Sequence, residues 1–221
     1  MQPAGLLEGL TLDDGWRVVQ RIDRTSGATG GSFSVPYLVE RDREGTSPET
    51  AFLKALDFSA WHEMRIPFVD AMNILTEQYI FERDLVLRCA GVRMSNVVTG
   101  VAAGQVTVLD PAGAPDPIPV PYIIFERADG DIRKVMESKL LRFDEAWAFR
   151  VLHGVANGLR QLHQEGIAHQ DLKPSNVMTF DNVAKVGDLG RSYITDSSGP
   201  FDNLPLAGDC TYVRTAGVAL R

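Results

Sequence analysis

The chain has 221 residues, 44% of them apolar and 23% charged, a balance typical of folded globular proteins with material for one large core or two small lobes. A formal charge of -7 and the lack of any dense Lys/Arg cluster exclude an electrostatic binder of nucleic acid or anionic membrane. Only Cys89 and Cys210 occur, without metal-type spacing, and the opening stretch MQPAGLLEGLTLDDGW has no signal-peptide pattern; a cytoplasmic protein with no disulfide framework and no membrane contact is expected.

In chain order, WRVVQRI and FSVPYLVE read as strands, with Phe33, Val35, Tyr37 and Val39 alternating, and the glycine-rich turn DRTSGATGGS lies between them. TAFLKAL predicts a third strand that carries Lys54 among apolar neighbours. A helix is expected from about Pro67 to about Cys89, stopped by Gly91. Phe68, Met72, Leu75, Tyr79, Glu82, Val86 and Cys89 form one stripe on it, so Glu82 interrupts an apolar face. Ile74, Ile80, Phe81 and Leu85 widen the apolar surface, which leaves Glu77 and Asp84 as alternatives in other registers.

NVVTGVAA and VPYIIFER predict two more strands around LDPAGAPDPIPVP, whose five prolines between 111 and 121 suit an extended connection. From Asp144, a fitting N-cap, Trp147, Val151, Leu152, Val155, Leu159 and Leu162 keep helical spacing as far as the stop at Gly166. GIAHQDLKPSNVM follows. It puts Asp171 and Asn176 five positions apart, and VGDLG places Asp188 seventeen residues beyond Asp171. An amide oxygen and carboxylates suit Mg²⁺, a hard cation usually shared with phosphates, and Lys173 offers a charge to offset a transferred phosphoryl group. The set points to phosphoryl transfer.

With HQDLKPSN and DLG on these positions, the sequence resembles the eukaryotic-like protein kinases, whose catalytic loop reads H-R-D-x-K-x-x-N and whose metal motif reads D-F-G. The resemblance runs from Trp16 to Tyr212. It implies a two-lobed α+β protein-kinase-like fold: a β-rich small lobe over 1–127, an incomplete helical large lobe over 128–221 with the activation segment near 188–212, and an ATP·Mg²⁺ site between the lobes. It implies Asp171 as the acceptor of the substrate hydroxyl proton and Asn176 and Asp188 as metal ligands. Lys54 is the implied phosphate-binding lysine with Glu82 as its helix partner. Phe125 precedes the implied hinge, where Glu126 to Ala128 meet adenine with backbone groups and Asp131 contacts the ribose. Lys173 favours a protein Ser/Thr substrate. The alternatives are a nucleotide-binding scaffold of the pseudokinase kind and, further off, a small-molecule kinase.

Four departures from the family pattern stand out. The glycines offered to the phosphates, Gly27, Gly30 and Gly31, lack the G-x-G-x-x-G spacing, and Ser34 follows Phe33 where the last glycine belongs. Phe52 replaces a small residue two positions before Lys54, where its ring either crowds a base or stacks on it. Gln170 replaces the arginine that pairs with an activation-loop phosphate, which predicts competence without loop phosphorylation. Finally, AGDCTYVRTAGVALR follows the activation-segment pattern to Tyr212, then lacks an A-P-E-like motif at Arg214, Thr215 and Ala216, and carries Asp209 after Gly208 in place of threonine. The expectation is a truncated or frameshifted kinase, marginally stable, nearly inactive, and self-associating through an exposed large-lobe face that includes some of Val151, Val155, Leu159 and Leu162.

Overall fold

The computed structural model describes residues 2–23, 33–45, 47–109, 117–138, 144–195, 197 and 199–200. The chain divides into two compact units, Met1–Gly91 with Thr99–Arg127, and Val92–Val98 with Ala128–Arg221.

The first unit is built on an antiparallel sheet in the order β1-β2-β3-β5-β4, from Arg17–Arg21 (β1), Ser34–Arg41 (β2), Glu49–Leu56 (β3), Gly100–Val108 (β4) and Ile118–Glu126 (β5). Alternation decides its faces. Val35, Tyr37 and Val39 of β2, Ala51, Leu53 and Ala55 of β3, and Val120, Tyr122 and Ile124 of β5 are all buried in one core. The N-terminal residues complete that core: Ala4, Leu7, Leu12 and Trp16 pack into it. The Tyr37 hydroxyl donates to the Ala4 carbonyl at 2.7 Å, and Gly9 and Leu10 exchange backbone hydrogen bonds with Val18. A stretch without strand or helix period thus becomes the cover of the sheet.

Pro119 and Pro121 lie inside β5, where proline normally breaks a ladder. They are tolerated because β5 pairs with β3 only from Tyr122 onward, while 118–121 pairs with β4 alone. Helix α1, Phe68–Gly91, buries Ala71, Leu75, Leu85, Val86 and Cys89, and its Tyr79 hydroxyl reaches the carbonyls of Gly104 and Tyr122 at 3.2 and 3.1 Å. Phe68, expected on the apolar stripe, is exposed, and its ring meets Trp61 edge-on at 5.2 Å.

The second unit holds Gly130–Asp131 (β6), helix α2 over Ile132–Ser138, helix α3 over Glu145–Gln164, Ile167–Ala168 (β7), Val177–Phe180 (β8), Val183–Val186 (β9) and Tyr193–Ile194 (β10). Asp144 caps α3 by accepting from the Trp147 N–H at 3.0 Å, and Gly166, at φ +70°, turns the chain out of it. Strands β8 and β9 form a hairpin whose two turn residues, Asp181 and Asn182, both have positive φ, as the tight type I′ turn demands. Val97 adds a parallel bridge to Val186, which explains why 92–98 belongs to this unit and why β4 starts only at Gly100, later than NVVTGVAA suggested.

Helix α3 lies on β9 with Gly154 and Gly158 at the contact. Val151 and Val155 are half-buried against Ile132, Val177 and Ala184, and Leu162 is fully buried. The large apolar residues left open on α3 are Phe149 and Leu152, 70% and 63% exposed, so the helix is rotated relative to the expected exposed face. Among the described residues no helix is long and apolar enough to cross a membrane.

Candidate active site

In the second unit the loop between β7 and β8 gathers charge that a core normally excludes. Asp171, Lys173, Asn176 and His169 are all buried. They are held by mutual bonds: Lys173 Nζ is 3.0 Å from Asp171 Oδ2, and Asn176 Nδ2 donates to the Asp171 carbonyl at 2.9 Å and to Asp171 Oδ2 at 3.2 Å. Pairing of this kind is what makes buried charge tolerable. With its amide nitrogen committed to Asp171, Asn176 has its carbonyl oxygen to present to a cation, with Ser175 Oγ a long 3.5 Å away.

Two backbone bonds bring the second motif to this loop. The Gly187 N–H donates to the Asn176 carbonyl at 2.8 Å, and His169 Nε2 donates to the Gly187 carbonyl at 2.9 Å. Asp188 is therefore delivered beside Asn176, in left-handed backbone at φ 58° and ψ 69°. Gln170, next to Asp171, shares that conformation at φ 59°. Non-glycine residues in this region carry about 1–3 kcal/mol of strain each, and such residues cluster at functional sites.

His169 has a defined protonation state. With Nε2 as the donor to Gly187, Nδ1 accepts the Asp171 N–H at 3.2 Å. Burial pushes the imidazole pKa down from its usual 6.5, only partly offset by the bond to Gly187, so the ring is neutral at pH 7. Its work here is to join the Asp171 loop to Gly187, a role the sequence reading left unassigned.

The first unit carries the other charged pair. Lys54 Nζ lies 2.7 Å from each oxygen of the Glu82 carboxylate, with the side chains 23% and 11% exposed. Of the three carboxylates the helix period left open, Glu82 is the one placed beside Lys54. Glu77 is exposed, and Asp84 pairs with Arg83.

The expected hinge residues have their own partners. The Glu126 N–H donates to the Thr99 carbonyl at 3.0 Å, and its Oε1 accepts the Thr99 N–H at 2.7 Å. Ala128, half-buried, begins the segment that joins the second unit. Asp131 Oδ1 accepts the Lys134 N–H at 3.0 Å, the pattern of an N-cap at the start of α2, a helix too short to announce itself by periodicity. Gly30 and Gly31, the glycines expected to meet phosphate, lie outside the described residues, as does everything the sequence suggested beyond Pro200.

Among the described residues no three His, Cys, Asp or Glu side chains gather as a metal site. The amide oxygen of Asn176 and the carboxylate of Asp188 are nonetheless a donor set of hard oxygens, the chemistry that Mg²⁺ takes when phosphates supply the remaining ligands.

Comparison with known proteins bears on the same stretch. Residues 116–213 match the family model described as the protein kinase domain. The Wee1-like protein kinase of Arabidopsis thaliana is 32% identical over 92 residues, 42% of this chain and 18% of that protein. Mitogen-activated protein kinase 4 of Homo sapiens is 34% identical over 79 residues, 35% of this chain and 13% of that one. Serine/threonine-protein kinase SSN3 of Yarrowia lipolytica is 36% identical over 88 residues, 38% of this chain and 21% of that one. The matched stretches thus span about a fifth or less of these relatives, and Lys54 and Glu82 lie upstream of the residues that match the family model. The interlocked HQDLKPSN and DLG segments both fall inside the stretch that is similar to the protein kinase domain, and that stretch is carried on an α+β fold.

Proposed function

We propose that the chain transfers the γ-phosphoryl group of ATP to a serine or threonine hydroxyl of a protein. The observation that carries this reading is the buried, mutually bonded set of Asp171, Lys173 and Asn176, tied through Gly187 to Asp188. In the reaction the bond between the γ-phosphorus and the β–γ bridging oxygen breaks, a phosphorus–oxygen bond forms to the hydroxyl, and ADP leaves. Asp171 takes the hydroxyl proton, and Lys173 offsets negative charge on the group in transit.

Asn176 and Asp188 would hold Mg²⁺, which when bound neutralises charge on the phosphate oxygens. Lys54, kept in place by Glu82, engages the α and β phosphates. The backbone from Glu126 to Ala128 binds the base, Asp131 the ribose, and the amides around Gly30 and Gly31 the phosphates. Serine or threonine as acceptor is supported by Lys173 and by the printed name of the Yarrowia lipolytica relative. The cysteine usage and the absence of basic clusters support a cytoplasmic setting with protein and nucleotide partners.

The test is the thermal shift of the full chain with ATP, with and without Mg²⁺. Wild type should be stabilised by Mg·ATP, and Asp188→Asn should lose the Mg²⁺-dependent part of the shift. An equal Mg²⁺ response in wild type and Asp188→Asn contradicts the metal assignment. Tight binding without turnover moves the chain to the nucleotide-binding scaffold reading.

A further inference from the structure

Helix α3 carries a second pattern beside the one that seats it on β9. Glu145, Phe149, Leu152, Ala156, Arg160 and His163 recur at alternating helical spacings of four and three, so they share one stripe, and all six are exposed. Phe149 and Leu152 stand three apart on it, 70% and 63% exposed, and so form one continuous apolar patch. Ala156, one turn on, is a small residue beside two large ones. The ends of the stripe differ in charge: Glu145 lies in the first turn, and Arg160 lies near the other end with His163 in the last turn.

We propose that this stripe is a self-recognition surface through which two copies of the chain pair, with their α3 helices antiparallel about a two-fold axis beside Leu152. A two-fold contact brings the same patch together from both copies, so the patch must complement itself. The α3 stripe does. About that axis Leu152 lies beside Leu152 of the second copy, Phe149 covers Ala156 of the second copy, and Glu145 meets its Arg160, with each unlike contact made twice. Large against small lets two helices approach to about 8–10 Å. The antiparallel sense also sets the positive N-terminus of each helix beside the negative C-terminus of the other. A parallel pair would instead oppose Glu145 to Glu145 and Phe149 to Phe149. This face differs from the one expected for self-association, because Val151 and Val155 pack against Ile132, Val177 and Ala184, and Leu162 is buried. The pairing does not depend on the phosphoryl-transfer reading.

A contact made by one pair of helices is small, so the expected state is a reversible monomer–dimer equilibrium with Kd on the order of 10 µM. The experiment is sedimentation equilibrium of the full chain from about 1 to about 300 µM, a range that brackets that value. Wild type is compared with Phe149→Ser/Leu152→Ser, Glu145→Arg, Arg160→Glu and the combined Glu145→Arg/Arg160→Glu, with folding checked by circular dichroism. Kd should rise more than about tenfold in the serine variant and about three- to tenfold in each single charge swap, and return to within about twofold of wild type in the combined swap. The charge swaps sit at exposed ends of the stripe, so they decide the case alone should the serine variant unfold. Wild type that stays monomeric at the highest concentration overturns the proposal. Growth into larger species without a stop at the dimer does so too, since a two-fold contact closes on itself. A dimer unchanged by the serine substitutions rules out the surface, and a combined swap as weak as the single ones rules out the antiparallel pairing.

Discussion

Gly158→Ala should destabilise the chain although it improves the helix. In an open helix interior the change gains about 1 kcal/mol. Here a Cβ on Gly158 would stand 2.5 Å from the Asn96 carbonyl oxygen and 2.9 Å from Val186 Cγ2. The oxygen is backbone and cannot swing aside, because it already accepts the Val186 N–H at 2.8 Å, while the Asn96 amide donates to the Ala184 carbonyl at 3.0 Å. Relief requires α3 to retreat or the 92–98 segment to shift, and overpacking of this kind costs about 1–3 kcal/mol, occasionally more. With the clash at the upper end of that range, the net expectation is a loss of about 2 kcal/mol, or roughly 4–8 °C in Tm for a chain of this size. Gly154→Ala, facing the Ala184 carbonyl oxygen at 2.7 Å, should behave alike. Gly91→Ala, with nothing within 4 Å of its Cβ at the end of α1, should be neutral or stabilising. Urea unfolding of the three variants checks this. A Gly158→Ala protein as stable as wild type would mean that α3 does not seat on β9 at this distance, and with it would go the account of how Val186, and so Gly187 and Asp188, are held.

The Lys54–Glu82 pair should show coupling: Lys54→Met and Glu82→Gln each leave a largely buried partner behind at about 2–4 kcal/mol, while the double variant should cost at least 1 kcal/mol less than their sum in urea unfolding. Additivity within about 0.5 kcal/mol would show that the two charges do not depend on each other. His169 sets a pH dependence, because its folded pKa lies below the unfolded value of 6.5: its contribution is complete above that pH and is lost as pH falls toward the folded value, where the unfolded chain binds the extra proton. Unfolding free energy measured from pH 8 to pH 5 should therefore drop below about 6.5 in wild type and lose that component in His169→Asn; parallel profiles would contradict it.

Much of this architecture is written in local pattern. The alternation of β2 put Val35, Tyr37 and Val39 on one face, and the period of α1 put Glu82 on the side that meets Lys54, although it could not by itself reject Glu77 or Asp84. Other features depend on partners distant in sequence. Residues 2–16 have no period to read, and their burial follows from Tyr37 and Val18, which capture their backbone groups. The exposure of Phe149 and Leu152 reflects which face of α3 the two contact glycines turn toward β9, a choice that hydrophobic spacing alone does not make. The cap that Asp131 Oδ1 gives to α2 belongs to a helix of two turns, too short to show a period in the sequence. That Asp171, Lys173 and Asn176 form a set was legible because their spacing is specific, whereas the bonds of His169 and Asn176 to Gly187 join positions eleven or more residues apart and appear only in three dimensions.

The central claim is that Asp171 serves phosphoryl transfer, and the most direct measurement is radiometric transfer of the γ-phosphate from Mg·ATP to generic protein substrates by the full chain and by Asp171→Asn. Asparagine keeps the shape and removes the proton acceptor, so the account predicts transfer to serine or threonine by wild type and a fall on the order of 10²–10⁴-fold in the variant, with ATP affinity essentially unchanged. Transfer by Asp171→Asn at the wild-type rate, or none above background by wild type, would contradict it.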